Sequence, residues 1–341
     1  MMKKTFLLTV FIVFLMTAPA VFSQTEEMTL IMGINDETPA GRLVWDESGN
    51  WVTGVSRSMY QQTRIEPEPM VQADGSSFGA YSGQSFSFGD RAYSLTTVSP
   101  SGSMAALSSD YLSLDVLTQP MDPDKAPLSI QPGFMILSAA LSDDGRFVLA
   151  NSAEEIRTVV YSTADGGQVY DLNGFETAAP VYDSILSADG TRVIWHSRGT
   201  FAVQDVETGK FGETISLWDF ASAYAFAPDD QTLAVSIIND DYENGAVIFF
   251  DPQSGAEKGR VITGKTAPYE LSYSADGSVL LAADRDTLYW IDGKSFELLS
   301  WQTVVTGDSD ELRVSRIAAS PDGSQAAVLL SSNDLYLVRK P

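Results

Sequence analysis

The sequence predicts an all-β protein assembled from repeated four-stranded sheets, and three observations carry that expectation. The first is a turn phrase that recurs as Ser101-Gly102, Asp144-Gly145, Asp189-Gly190, Asp229-Asp230, Asp276-Gly277 and Asp322-Gly323. Its second residues lie 43, 45, 40, 47 and 46 positions apart, the period of a four-stranded repeat. Ser48-Gly49, 53 residues before Gly102, makes a seventh copy. The second observation is texture: short runs rich in Val, Ile, Leu, Tyr and Phe are broken by Gly, Asp, Ser and Pro, and helical periodicity is almost missing. The third is another turn phrase, Asp205-Val-Glu-Thr208-Gly209 and Asp251-Pro-Gln-Ser254-Gly255, at its own fixed place within the period.

Taken in chain order, residues 1–23 read as a secretory signal. Lys3 and Lys4 give a positive start, residues 6–16 are apolar, and residues 17–23 offer small residues for cleavage after Ala20 or Ser23. The apolar run is well short of the ~18 residues of a spanning helix. No stable membrane span is expected after its removal, and the mature chain is expected to be periplasmic or secreted. Residues 24–341 then read as one domain. Residues 28–34 form a strand with no repeat of its own. Residues 54–91 are the least regular part, read as a distorted second half of the first repeat with a long loop. An eighth repeat at Gly75 would need spacings of 26 and 27 residues, too short for four strands. The clearest repeat has strands at 269–274, 278–283, 287–291 and 296–304, labelled a to d in order. The same order fits an earlier repeat, with strands at 185–187, 192–196 and 201–205. After Asp322-Gly323 only about three strands fit, on a period of roughly 40 residues. The orphan N-terminal strand is therefore expected to complete the last sheet and close a seven-bladed β-propeller, which removes unpaired edges. Its blade turns lie near residues 49, 102, 145, 190, 230, 277 and 323.

Phe226-Ala-Pro-Asp-Asp230 and Ala319-Ser-Pro-Asp-Gly323 resemble the a–b turn of WD-repeat proteins and of related bacterial periplasmic propellers, and the Asp-x-x-Ser/Thr-Gly phrases resemble their c–d turn. The resemblance covers residues 28–341 and implies the fold. It implies no single activity, because that fold hosts many roles. The chain departs from the strict WD pattern: the Gly-His pair before strand a and the Trp-Asp pair ending strand c are missing.

Composition narrows the function. Net charge is −24, and −26 without the two signal lysines. Such a field repels nucleic acid and anionic lipid and favours cations or basic partners. Cysteine is absent, which excludes disulfides, thiolate metal sites and cysteine nucleophiles. His196 is the only histidine, so any Ser-His-Asp site would have to use it; it reads as a surface or strand-end residue. Gly75-Ser76-Ser77-Phe78-Gly79 matches the nucleophile-elbow phrase in letters, but that phrase needs a following helix. Residues 239–245 form the sharpest acidic cluster. Read as a calcium loop, Tyr242 occupies the third ligand position and Asp251 the twelfth, a poor match, so no cofactor is expected beyond weak calcium binding.

In such a ring the b–c and d–a loops emerge on one face. Glu154, Glu155, Asp240, Asp241, Glu243, Asp284, Asp286 and Asp334 fall in b–c loops, and Asp183, Asp219 and Glu270 in d–a loops. An acidic recognition face is therefore expected, with Tyr182, Trp195, Tyr242 and Tyr269 as contact aromatics and Arg198 and Arg285 among its few cations. The leading reading is a monomeric, non-catalytic scaffold binding a protein or peptide, itself basic. Two others stay open. One is a propeller lactonase or hydrolase with a divalent cation near the channel, drawing on Asp183, Glu270 and Arg316. The other is capture of a small ligand or glycan at the channel mouth.

Overall fold

The computed structural model describes residues 29–33, 43–46, 48–55, 59–64, 70–71, 77–78, 83–87, 93–101, 103–108, 110–117, 126–155, 157–173, 183–197, 200–217, 221–238, 244–264, 266–305 and 312–341. These form an all-β structure with no helix among them, so none of the described residues builds a helix long and apolar enough to cross a membrane. Seven four-stranded antiparallel sheets and one two-stranded sheet are present among the described residues.

Six sheets run in sequence order, a to d. Leu43–Trp45, Trp51–Val55, Met59–Arg64 and Gly83–Ser87 make the first. Tyr93–Val98, Met104–Ser108, Leu114–Leu117 and Leu128–Ile130 make the second, and Ile136–Leu141, Phe147–Ser152, Arg157–Ser162 and Gln168–Asn173 the third. The fourth holds Asp183–Leu186, Arg192–Ser197, Thr200–Asp205 and Ile215–Ser216; the fifth, Ala223–Phe226, Leu233–Ile238, Gly245–Phe250 and Glu257–Ile262. Glu270–Tyr273, Val279–Ala283, Thr287–Asp292 and Leu298–Thr303 make the sixth. The seventh takes Val314–Ala319, Gln325–Leu330 and Asp334–Arg339 from the chain's end, and its outer strand is Thr29–Gly33. Thr29 stands opposite Leu337 and Gly33 opposite Asp334, so the edge of the last hairpin is covered by the start of the chain. The irregular stretch of the first repeat resolves into strands c and d with a small hairpin, Met70–Val71 against Ser77–Phe78, between them.

The a–b turns owe their recurrence to one hydrogen-bonding module. In the third sheet Ser142 Oγ donates to Asp144 Oδ1 at 2.7 Å, while Arg146 N donates to the same oxygen and Phe147 N to Ser142 Oγ. Ser187/Asp189, Ser274/Asp276 and Ser320/Asp322 repeat the arrangement. The c–d turns use the aspartate differently: Asp205 Oδ1 accepts from Thr208 N, and Asp251 Oδ1 from Ser254 N. In the sixth sheet Phe296 holds the left-handed position (φ 59°) that Gly209 and Gly255 hold elsewhere.

Apolar side chains on the two faces of each sheet meet those of its neighbours. Separate buried clusters join the second sheet to the third, the third to the fourth, the fourth to the fifth, the fifth to the sixth and the sixth to the seventh. A further cluster places Leu43, Trp45 and Val52 of the first sheet against Ala318, Ala327, Leu329 and Leu335 of the seventh. Burial of this kind stabilises by roughly 25 cal/mol per Å² of apolar surface, and it leaves the strand-a edges facing a common space.

Candidate functional site

That space is one cavity of about 660 Å³, lined by strand-a residues of all seven sheets: Val44, Thr97, Ala140, Ile185, Ala225, Leu271 and Ala318 among them. In the sixth sheet the lining runs unbroken from Glu270 to Ala275, so the cavity follows strand a from its first residue to its turn. Its described lining carries five carboxylates, Asp46, Asp143, Asp144, Asp189 and Glu270, and no lysine or arginine.

Four of those carboxylates sit at the a–b turn end. Asp144 is paired with Arg146 at 2.6 Å. Asp189 adjoins Asp230, and this junction departs from the repeat. Asp230 occupies the place of the turn glycine with φ 55°, in the left-handed region that aspartate tolerates better than most residues. A side chain in that place points at the preceding sheet: a Cβ built on Gly190 would lie 2.5 Å from Phe147, and one on Gly145 would lie 2.5 Å from Ser103 Oγ. Asp230 uses the direction productively. It is buried, its Oδ1 accepts from Ala188 N at 3.2 Å, and its carboxyl shares a hydrogen bond with Asp189. Arg192 donates to the Asp230 carbonyl oxygen. Burial, the shared hydrogen bond and the Asp189 charge push the Asp230 carboxyl up to about 7. Burial also acts on Asp189, but hydrogen bonds from Thr191, Asp230 and Ser187 hold it below the usual carboxylate range. Below about pH 7 the pair holds one proton, behind the part of the cavity lining that Asp189 supplies.

At the opposite end the structure brings together four of the residues singled out from sequence. Glu270 pairs with Arg316 at 3.2 Å across the sixth and seventh sheets. Tyr269 donates its hydroxyl to Val314 O at 2.6 Å, and burial pushes that hydroxyl up to about 12. Val314 N in turn donates to Arg285 O at 2.8 Å, while the Arg285 side chain is exposed. These contacts bridge two sheets at the end where strands a begin.

Two expectations, for Trp195 and Asp284, are corrected. Trp195 is no surface contact residue: it is fully buried, and its Nε1 donates to Gln204 Oε1 at 2.7 Å. Its place in the middle of a strand points it into the packing between the third and fourth sheets. Asp284 is likewise buried, accepting from Thr287 N and the Tyr289 hydroxyl, so it braces a b–c turn instead of facing solvent. His196 is half-buried beside Tyr224, with ring centroids 5.1 Å apart. Its Nε2 is buried without a hydrogen-bond partner among the described residues, and burial lowers its pKa. The six-residue strand Gly245–Phe250 separates Asn244 from Asp251 by seven steps, roughly 23 Å at ~3.3 Å per residue. Those two residues therefore do not share a calcium loop. Ser77 lies in a two-residue strand paired with Val71, not in a strand-to-helix turn. Tyr182, Arg198, Asp240, Asp241, Tyr242 and Glu243 lie outside the described residues, as does residues 1–23, and Asp183 is described only as the first residue of its strand. Among the described residues no group of three or more His, Asp or Glu is placed to hold a metal ion.

No protein-family model matches the chain, and no curated protein sequence matches it. Sequence reasoning missed the Asp189–Asp230 pair, although a signal was present: Asp230 is the one aspartate standing where the other described turns of the series keep glycine.

Proposed function

We propose that the seven sheets are the blades of a closed, WD-repeat-like β-propeller latched by its N-terminal strand. It acts outside the cytoplasm, after loss of residues 1–23, as a non-catalytic scaffold for a basic protein or peptide. The observation that carries this reading is the single cavity bordered by strand a of every sheet, with five carboxylates and no lysine or arginine in its described lining. A net charge of −24 supports the sign of the partner. Pairing of the first strand with the last hairpin, and packing of the first sheet on the seventh, support closure. Of the positive residues beside the cavity carboxylates, Arg146 and Arg316 are each committed to an ion pair and Arg192 donates to the Asp230 carbonyl oxygen, which supports a cavity that is negative overall.

The test is binding of a fluorescein-labelled octalysine peptide to the mature chain, read by anisotropy. Affinity is expected to fall as salt rises, because exposed charges are screened beyond ~10 Å at 0.1 M. It is expected to fall at least tenfold in the triple variant Asp46→Asn, Asp143→Asn, Asp144→Asn, whose amides keep one acceptor for each turn. Equal binding of octalysine and an uncharged peptide, or no loss in the triple variant, overturns the reading.

A further inference from the structure

Large apolar side chains are exposed together at one place outside the cavity. Tyr111 is 44 % exposed, Leu112 52 %, Met135 41 % and Leu137 38 %. Tyr111 and Leu112 lie in the b–c turn of the second sheet, and Met135 and Leu137 at the start of strand a of the third. The two segments are joined, since Ile136 N donates to Tyr111 O at 2.7 Å. Ala153 N donates to Met135 O at 2.8 Å, which brings the next b–c loop alongside.

Two backbone features hold this patch open. Tyr111 takes φ 63°, a left-handed conformation that a bulky residue adopts only under constraint. The constraint is visible: Asp110 Oδ1 accepts from Ser108 Oγ and Leu112 N, and Tyr111 N donates to Ser108 O. Leu137 is the extra residue of a β-bulge, between the paired positions Ile136 and Ser138, and a bulge re-aims the side chain it carries. The second and seventh sheets have a bulge at the same place, where they carry Ser94 and Ser315. The bulge itself therefore has no need of leucine, and the exposed apolar side chain belongs to this sheet alone of the three.

The surroundings define what fits. Asp110, Glu154 and Glu155 are exposed at the border. The neighbouring cation, Arg157, is held by Asp171 through two hydrogen bonds of 2.9 and 2.6 Å and lies over the Phe134 ring at 5.4 Å. A second copy of this chain would bring a like charge of −24 to an acidic border. Apolar anchors ringed by carboxylates suit a segment that alternates apolar and basic side chains.

We propose that the patch formed by Tyr111, Leu112, Met135 and Leu137 docks an amphipathic basic segment of another protein. It is a second contact surface on the end opposite the a–b turns. It rests on the scaffold reading only for the sign of the partner's charge. The test compares two labelled peptides of equal length and charge, one alternating Leu and Lys, the other Ser and Lys, on the mature chain. The Leu–Lys peptide is expected to bind at least tenfold more tightly, and Leu112→Ser with Leu137→Ser is expected to remove that excess while leaving the Ser–Lys affinity unchanged. The single variant Met135→Ser gives a smaller loss in the same direction, and circular dichroism melts check that each variant is folded. Equal affinity for the two peptides, or an excess that survives the double variant, overturns the docking surface, whatever octalysine does at the cavity. Concentration-dependent self-association of the wild type that the double variant abolishes also overturns it, in favour of a second copy as occupant.

Discussion

Replacing Asp230 by asparagine isolates the proton it shares with Asp189. In the folded protein the Asp230 carboxyl titrates at about 7, against 3.8 for an ordinary aspartate. Between about pH 4 and 7 the folded chain thus holds a proton that the unfolded chain has released. Stability therefore falls as pH rises through that window, and the loss is complete above 7. About three pKa units at 1.36 kcal/mol each sets an upper limit of roughly 4 kcal/mol. The exposed partner Asp189 is held below its ordinary value, so its own titration lies below about pH 4 and leaves the loss in this window to Asp230. An asparagine keeps the geometry: its carbonyl accepts from Ala188 N, its amide donates to Asp189, and it tolerates the left-handed backbone. Asp230→Asn is therefore expected to match the wild type below about pH 4, to pull ahead as pH rises, and to exceed it by up to roughly 4 kcal/mol at pH 8. Urea unfolding followed by tryptophan fluorescence at pH 4.5, 6, 7 and 8 reads the difference. Parallel pH dependence in the two proteins would refute the shared-proton argument.

Trp195→Phe leaves the buried Gln204 Oε1 without its indole donor, and we expect a loss of about 1–3 kcal/mol by chemical denaturation. Gly190→Ala forces a side chain into a left-handed turn (φ 74°) and against Phe147, so its melting temperature should drop by more than that of an alanine at Gly209, where the added Cβ meets nothing within 4 Å. Deleting residues through Gly33 uncovers the Asp334–Arg339 edge; the expected result is a lower melting temperature with concentration-dependent aggregation, read by light scattering. His196 is held below its ordinary pKa by burial, so the unfolded chain binds its proton first on acidification. Stability should fall as pH drops through about 6.5, and His196→Gln should flatten that limb of the profile.

The repeat was legible because its turns are written in local chemistry. Ser and Asp two residues apart, then Gly, specify a hydrogen-bonded corner that needs nothing from the rest of the chain, and the strands between corners came out within a residue or two of expectation: 270–273 for 269–274, 279–283 for 278–283. The orphan strand near the N-terminus was also legible, since a last repeat with three strands leaves one edge to be covered. Trp195 was misread because alternation along a strand does not say which positions lie in the middle of a packed sheet pair. Asp284 was misread because a loop aspartate looks the same in sequence whether it faces water or caps a buried turn.

The unit of construction and the charge follow from residue types and short-range spacing alone: strand, corner, strand, and an excess of acids over bases. Which acids meet depends on the packing of one sheet against the next. Asp189 and Asp230 are 41 positions apart in the chain, yet share a proton because a left-handed turn aims one carboxyl at the neighbouring sheet. Glu270 finds Arg316, and Tyr111 comes beside Met135, for the same reason: contacts between sheets are set by how their faces pack, and no local pattern records that packing.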